Sequence, residues 1–501
     1  MNCNNYTTKR SSKRPVLLKV DGGCLRLFDI HDDMPHLCSS SHCIRHSKLC
    51  GFILVCVITA CYVLSGERKS LLITPAAHTL HSEDCLESVC ADAVTQLLQN
   101  IRTKVTFKRR MLPDVTELRR RETHMFSVIP QNFLAHVKNP CWFEEQRGDV
   151  TADPYTSNLY SRYSRQMRVV FQYLKSVFRE RLILRDGKLA RLRCLPHFYI
   201  IGQPKCGTTD LYERLKLHPD VRATALKEPH WWSRKRFGII RPGEGLHSRF
   251  PVEDYLDLFD VAAHQIQKRL QQNSSSNIII GDASASTMWD NNAWLYLHDN
   301  NTEAEPPSLI QDFIHVLQPD ARFIVILRDP VERLYSDYLY FGTSNKSSDD
   351  FHEKVFESLQ MFDVCLQHAS LRACVYNSTL NNAMSVRLQV GLYVMYVLDW
   401  LSVFSREQLL VLRLEDHASN PSRSMNRIFR FLQIGAVSKQ RWREITKRPA
   451  SNTRRMSDRN LGPMRPVTRE LLEQFYAPFN QKLSEVLQDE SFLWDSRSEH
   501  A

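Results

Sequence analysis

From Leu195 onward the chain alternates short apolar runs with stretches of helical periodicity. The runs Phe198–Gly202, Asn277–Gly281, Arg322–Leu327 and Leu409–Leu414 are mostly Ile, Val and Leu. Unbroken apolar runs of that length suit parallel strands covered on both faces. Between them the pattern predicts helices, including Thr208–Leu217, Tyr255–Gln272 and Leu388–Phe404. The alternation implies an α/β fold: a doubly wound parallel sheet whose ligand sits beyond the carboxyl ends of the strands. Upstream, Met167, Val170, Phe171, Leu174, Val177 and Phe178 recur near helical spacing within Leu159–Leu184. That stretch reads as a helix packed on the α/β domain.

The N-terminal part has another pattern. Residues 1–48 are polar and irregular, with basic residues outnumbering acidic ones. Residues 49–66 carry no charge and approach the lower limit for crossing a bilayer of ~30 Å. The polar lead is too long for a cleaved signal peptide. A buried helix of a soluble domain is the rival account, opposed by the lack of a polar face. The basic flank would stay in the cytoplasm. The expected organisation is therefore a cytoplasmic tail (1–48), a signal-anchor (49–66), a luminal stem with a helical extension (67–190), the α/β domain (191–495) and a short tail (496–501).

Composition alters this picture little. The 501 residues carry a net charge of +11, which suggests a nucleic acid, an anionic lipid or a polyanionic glycan as partner. Four acceptor sequons follow the anchor, at Asn273, Asn300, Asn345 and Asn377, and together fit a glycosylated luminal chain. Of the seven cysteines after Cys61, Cys365 and Cys374 form the first-choice bridge, and Cys206 is the expected free thiol. Histidines are scattered and no luminal C-x-x-C pair occurs, so no metal site is expected.

The chemistry centres on Phe198-Tyr-Ile-Ile-Gly-Gln-Pro-Lys205-Cys206-Gly207-Thr208-Thr209, a strand, a Gly-containing turn and a helix start. Backbone N–H groups and a helix N-terminus there form an anion cradle. Gly202 and Gly207 have the spacing of a nucleotide triphosphatase loop, but Thr208 stands where that motif needs lysine, and the lysine has moved to Lys205. A kinase reading is disfavoured on that ground. A second segment ends a strand at Leu327, places Arg328 at the loop and Ser336 on the next helix. An arginine and a hydroxyl so arranged hold a phosphate dianion; an Arg–Asp pair closing the strand is the plainer alternative.

These segments resemble the sulfotransferase superfamily, whose donor is 3′-phosphoadenosine 5′-phosphosulfate (PAPS). The resemblance implies that Lys205, Cys206, Gly207, Thr208 and Thr209 hold the 5′-phosphosulfate, while Arg328 and Ser336 hold the 3′-phosphate. Lys227-Glu228-Pro-His230-Trp231-Trp232 resembles the segment of glycosaminoglycan sulfotransferases that carries the catalytic base. Glu228 is assigned that role, with His230 as the alternate and an ion pair with Lys227 as the structural account. Trp231 and Trp232 suit either sugar stacking or core packing. Lys447–Arg455 resembles a basic loop that closes over the donor, bringing Arg454 and Arg455, but lacks the family's glycine there; a basic surface loop and a contact to the acceptor are the other readings. Gly281–Asp290 is expected to face the same crevice.

Over roughly Cys194–Trp494 the chain is most similar to carbohydrate sulfotransferases acting on chondroitin-type chains. This implies transfer to the 6-hydroxyl of N-acetylgalactosamine 4-sulfate in chondroitin or dermatan sulfate. It also implies a Golgi membrane protein of type II, with no metal in the chemistry and no nucleic-acid partner; a homodimer is open. Transfer to another glycosaminoglycan hydroxyl, and a non-catalytic glycan-binding protein of the same fold, are the competing readings.

Overall fold

The computed structural model describes residues 87–495, apart from 225, 242–244, 274, 298–303 and 343–345. The anchor at 49–66 and the sequons at Asn300 and Asn345 lie outside the described residues. Among the described residues no helix is long and apolar enough to cross a membrane. The described residues belong to one compact unit.

Three helices open it: α1 (Glu87–Lys104), α2 (Val115–Arg121) and α3 (Thr123–Val128). Within the stretch read as a stem, Leu98, Ile101, Leu118, Met125 and Ile129 are buried in the main core. A small antiparallel sheet follows, from β1 (Cys141–Glu145), β2 (Ile183–Arg185) and β3 (Lys188–Cys194), in the order β1-β3-β2. Between β1 and β2 lies α4 (Arg165–Ser176), capped by Ser164 Oγ accepting from Met167 N. It buries Met167, Val170, Phe171 and Leu174, the face set by the helical period. The helix is thus shorter than Leu159–Leu184: Ser164 caps its start, the backbone leaves the helical conformation at Val177, and β2 pairs with β3 from Ile183.

The central sheet has five parallel strands in the order β5-β6-β4-β7-β8. They are β4 (Phe198–Gly202), β5 (Val221–Ala223), β6 (Ile279–Asp282), β7 (Arg322–Leu327) and β8 (Leu409–Arg413). The strand β5 has no apolar run long enough to announce it. The chain leaves β4 to one side for β5 and β6, and returns to its other side as β7. The carboxyl end of β4 is therefore the switch point at which such sheets bind ligands. Helices α5 (Thr208–Leu215), α6 (Val252–Asp257), α7 (Asp260–Asn273), α8 (Pro330–Phe341), α9 (Tyr393–Leu401), α10 (Lys439–Thr446) and α11 (Pro466–Leu487) surround it. The single helix expected at Tyr255–Gln272 is two. The break aims Asp257 and Asp260 at Arg193 Nη1, 2.7 and 2.8 Å away, and a buried guanidinium needs such partners. Leu388–Phe404 begins instead as a 3₁₀ turn, Leu388–Gly391, before α9. A Cβ at Gly391 would lie 2.8 Å from the Tyr476 ring.

Among the described residues two disulfides are present, Cys365–Cys374 as expected and Cys141–Cys194, which ties β1 to β3. Cys206 is a buried free thiol. Asn273 and Asn377 are exposed. Asn377 Oδ1 accepts from Leu380 N at 2.9 Å as a helix cap, which leaves its amide nitrogen for a glycan.

Candidate active site

A cleft of about 1770 Å³ opens at the carboxyl ends of the strands. Lys205, Gly207, Thr208, Thr209, Arg328 and Ser336 all line it. Gly207 caps α5 with φ +88°, a conformation side chains rarely adopt, and a Cβ there would meet Leu414 Cδ1 at 2.6 Å. That turn lets the first N–H groups of α5 face the cleft. Lys205 itself has φ +67°. Its Nζ lies 3.5 Å from the Tyr340 ring centroid. Burial pulls its pKa down to about 8; Arg328, Arg455 and Arg387 push the same way against Asp337. Arg328 Nη2 pairs with Glu332 Oε2 at 3.1 Å, and Glu332 also takes Arg469. The neighbouring Asp329 caps α8 by accepting from Val331 N at 2.9 Å.

Cys206 is not brought to the cleft. Its Sγ turns into the core, 3.9 Å from Tyr393 Oη, and burial pushes the thiol up to about 12. Its N–H is spent on Gln203 O at 3.2 Å. The residue spacing could not reveal this, since a tight turn sends neighbouring side chains to opposite sides.

The opposite wall carries Lys227, Glu228 and His230. Glu228 Oε2 accepts from Ala285 N at 2.8 Å, and Oε1 takes the Lys227 ammonium. His230 Nδ1 meets Ser286 Oγ at 2.7 Å, and Nε2 lies 3.7 Å from Glu228 Oε2. Burial pulls the imidazole pKa down to about 4, so it is neutral near pH 7. Glu228 and His230 have φ of +61° and +53°. With Lys205, that makes three non-glycine residues in a region costing about 1–2 kcal/mol each. Such strain concentrates where the surrounding structure imposes a geometry.

Of the Gly281–Asp290 segment, Ala285, Ser286 and Trp289 reach the cleft. Asp282 does not. It is buried, accepts from Tyr255 Oη at 2.7 Å, and burial raises its pKa to about 6. Trp231 and Trp232 are core residues: Trp232 is 1% exposed, and the Trp231 ring stacks on Tyr255 at 4.9 Å.

Arg454 and Arg455 also line the cleft, their guanidinium carbons 5.5 Å from the Tyr335 and Tyr340 rings. Their loop is tied down behind α5. Asp210 accepts from Arg214 Nε at 2.5 Å, His417 Nε2 at 3.0 Å and Ser451 N at 2.9 Å. Arg214 donates onward to Ile445 O and Arg448 O. Asp210 belongs to the motif by position, but only the fold shows what it holds. Arg234 and Arg387 line the same cleft, and neither belongs to a phosphate-binding motif. Among the described residues no group of three or more His, Cys, Asp or Glu is placed to hold a metal ion.

The sulfotransferase domain family matches residues 195–461. Carbohydrate sulfotransferase 15 of Homo sapiens is 54% identical over 480 residues, covering 90% of this chain and 86% of its own. The Rattus norvegicus protein of that name is 55% identical over the same shares. A solved sulfotransferase from Alicyclobacillus acidocaldarius is 22% identical with a TM-score of 0.36, covering 59% of this chain and 96% of its own.

Proposed function

This chain belongs to the sulfotransferase family, and we propose that it moves sulfate from PAPS to the 6-hydroxyl of N-acetylgalactosamine 4-sulfate in chondroitin or dermatan sulfate. The observation that carries the reading is the convergence on one cleft of Lys205, Arg328, Ser336 and Glu228. Identity of 54% over 90% of the chain to a carbohydrate sulfotransferase supports the acceptor class. The net charge of +11 suits a polyanionic glycan. The proposed setting is the Golgi membrane, with a type II anchor at 49–66 and the cleft in the lumen.

The mechanism is a single in-line displacement. Glu228 takes the proton of the attacking hydroxyl, whose oxygen bonds to sulfur as the bond from sulfur to the phosphate oxygen breaks. Negative charge grows on that leaving oxygen, and Lys205 with Thr208 and Thr209 stabilises it. Arg328 and Ser336 hold the 3′-phosphate of the donor. Arg454 and Arg455 close over it. His230, held by Ser286 and facing Glu228, orients the base. No metal enters these steps.

The test is the full-length enzyme in detergent, given radiolabelled PAPS and a panel of chondroitin sulfates, with disaccharide analysis of the product. Sulfate is expected on the 6-hydroxyl of 4-sulfated units. Glu228→Gln should lower kcat by about 10²–10⁴-fold, the range for losing a general base, and His230→Asn by far less. Sulfate on no chondroitin, or a larger loss from His230→Asn, would sink the respective assignment.

A further inference from the structure

Of the cations that line the cleft, the donor takes Lys205, Arg328, Arg454 and Arg455, and Arg387 has no task in that scheme. Its Nε donates to Asp337 Oδ2 at 2.7 Å, and Nη2 donates to Oδ1. Its carbonyl accepts from Arg333 Nη2 at 2.9 Å. The guanidinium carbon lies 4.5 Å from the Phe341 ring centroid and 5.5 Å from that of Trp289. The planar group is thus held by a carboxylate and two aromatic rings. A guanidinium has five N–H donors. Only two meet Asp337, so the Nη1 pair and one Nη2 proton have no hydrogen-bond partner among the described residues. The side chain keeps 26% of its surface exposed, toward the cleft it lines.

The charge count is unbalanced in the same place. Asp337 is 4% exposed and faces Arg387, Arg333 and Lys205. Burial alone would raise its carboxyl, and these three cations more than offset that, Arg387 first. Arg333 is fully buried, and Lys205 is committed to the donor, so of the three cations on Asp337 Arg387 is the one left to meet a ligand. Its position is between the two halves of the site. Trp289 Nε1 donates to Ala285 O at 3.1 Å, and Ala285 N holds Glu228. On the other side, Asp337 directly follows Ser336.

We propose that the open edge of Arg387 binds the sulfate ester already carried by the acceptor sugar. A clamped, half-used fork matches a tetrahedral oxyanion, and charge-assisted pairs of this kind are the strong ones. The inference rests on the chondroitin reading above and adds the residue that selects a 4-sulfated unit.

Calorimetry would test it on the full-length enzyme in detergent with 3′-phosphoadenosine 5′-phosphate bound. The ligands are a 4-sulfated and an unsulfated chondroitin oligosaccharide, both of which carry uronates. Arg387→Gln and Arg387→Lys are expected to weaken the sulfated ligand by about tenfold or more, the scale of losing a charged hydrogen bond, and to collapse its advantage over the unsulfated one. The lysine variant keeps the cation beside Asp337 and guards against a folding failure. Equal weakening of both ligands, or loss of the bound nucleotide instead, would overturn the proposal and make Arg387 a scaffold for Asp337 or a uronate contact. Failure of the chondroitin reading shows separately, as wild-type enzyme that sulfates no chondroitin.

Discussion

Lys205 is the residue on which burial and charge meet. It is held in a left-handed conformation, against an aromatic ring, among three arginines and one carboxylate. The protonated ammonium is the form that stabilises a leaving oxygen, and with a pKa near 8 that form is lost as pH rises. The expected outcome is a fall in kcat/KM for the donor above about pH 8, read from a pH–rate profile. Lys205→Arg should remove that limb at its own lower rate, because a guanidinium does not titrate there. An unchanged limb would assign it to another group. That Lys205, Thr208, Thr209, Arg328 and Ser336 share one cleft was legible because each has a fixed offset from a strand end. Glu228 and His230 were legible through resemblance alone. The inward turn of Cys206 and the place of Arg387 at the cleft were not legible, since neither has a local pattern.

At the scale of elements, the helix α5 does two jobs. Its N-terminus faces the cleft, and its opposite side anchors the basic loop through Asp210 and Arg214. Burial would raise the Asp210 carboxyl, but His417, Arg214 and the Ser451 N–H more than offset this and hold it near 2. Asp210→Asn keeps an oxygen but loses the charge. It should cost about 2 kcal/mol in urea unfolding, since hydrogen bonds to charged groups are worth ~1.5–3 kcal/mol. It should also raise the donor KM by several-fold with less effect on the acceptor, as the loop loosens. Equal changes in both would separate the loop from donor binding. Four of the five central strands were predictable to within two residues at either end, because a buried parallel strand is a plain apolar run. The small antiparallel sheet was not. Its β3 reads Lys188-Leu-Ala-Arg-Leu-Arg-Cys194, and Arg191 and Arg193 are tolerated inside only because Glu144, Asp257 and Asp260 meet them.

At the scale of the whole molecule, the two disulfides among the described residues close loops of very different length. Cys141–Cys194 closes 53 residues and Cys365–Cys374 closes nine. Chain-entropy arguments put these at about 4 and about 2.5 kcal/mol. Removing the first by paired serine substitution should therefore lower Tm more than removing the second, as followed by circular dichroism. The reverse order would mean that strain or local packing, not loop closure, dominates. The first bridge was hidden because its cysteines are far apart in the chain and meet only when β1 pairs with β3.

By itself the sequence determined four of the five central strands, the turn after β4 and the residues at strand ends, because hydrophobic period and glycine placement act over a few neighbours. Only the tertiary structure decided which groups share a carboxylate. Asp210 meets Ser451 across 241 positions, and Asp337 meets Arg387 across 50. Such pairings follow from how the chain crosses the sheet, and no local pattern of residues encodes them.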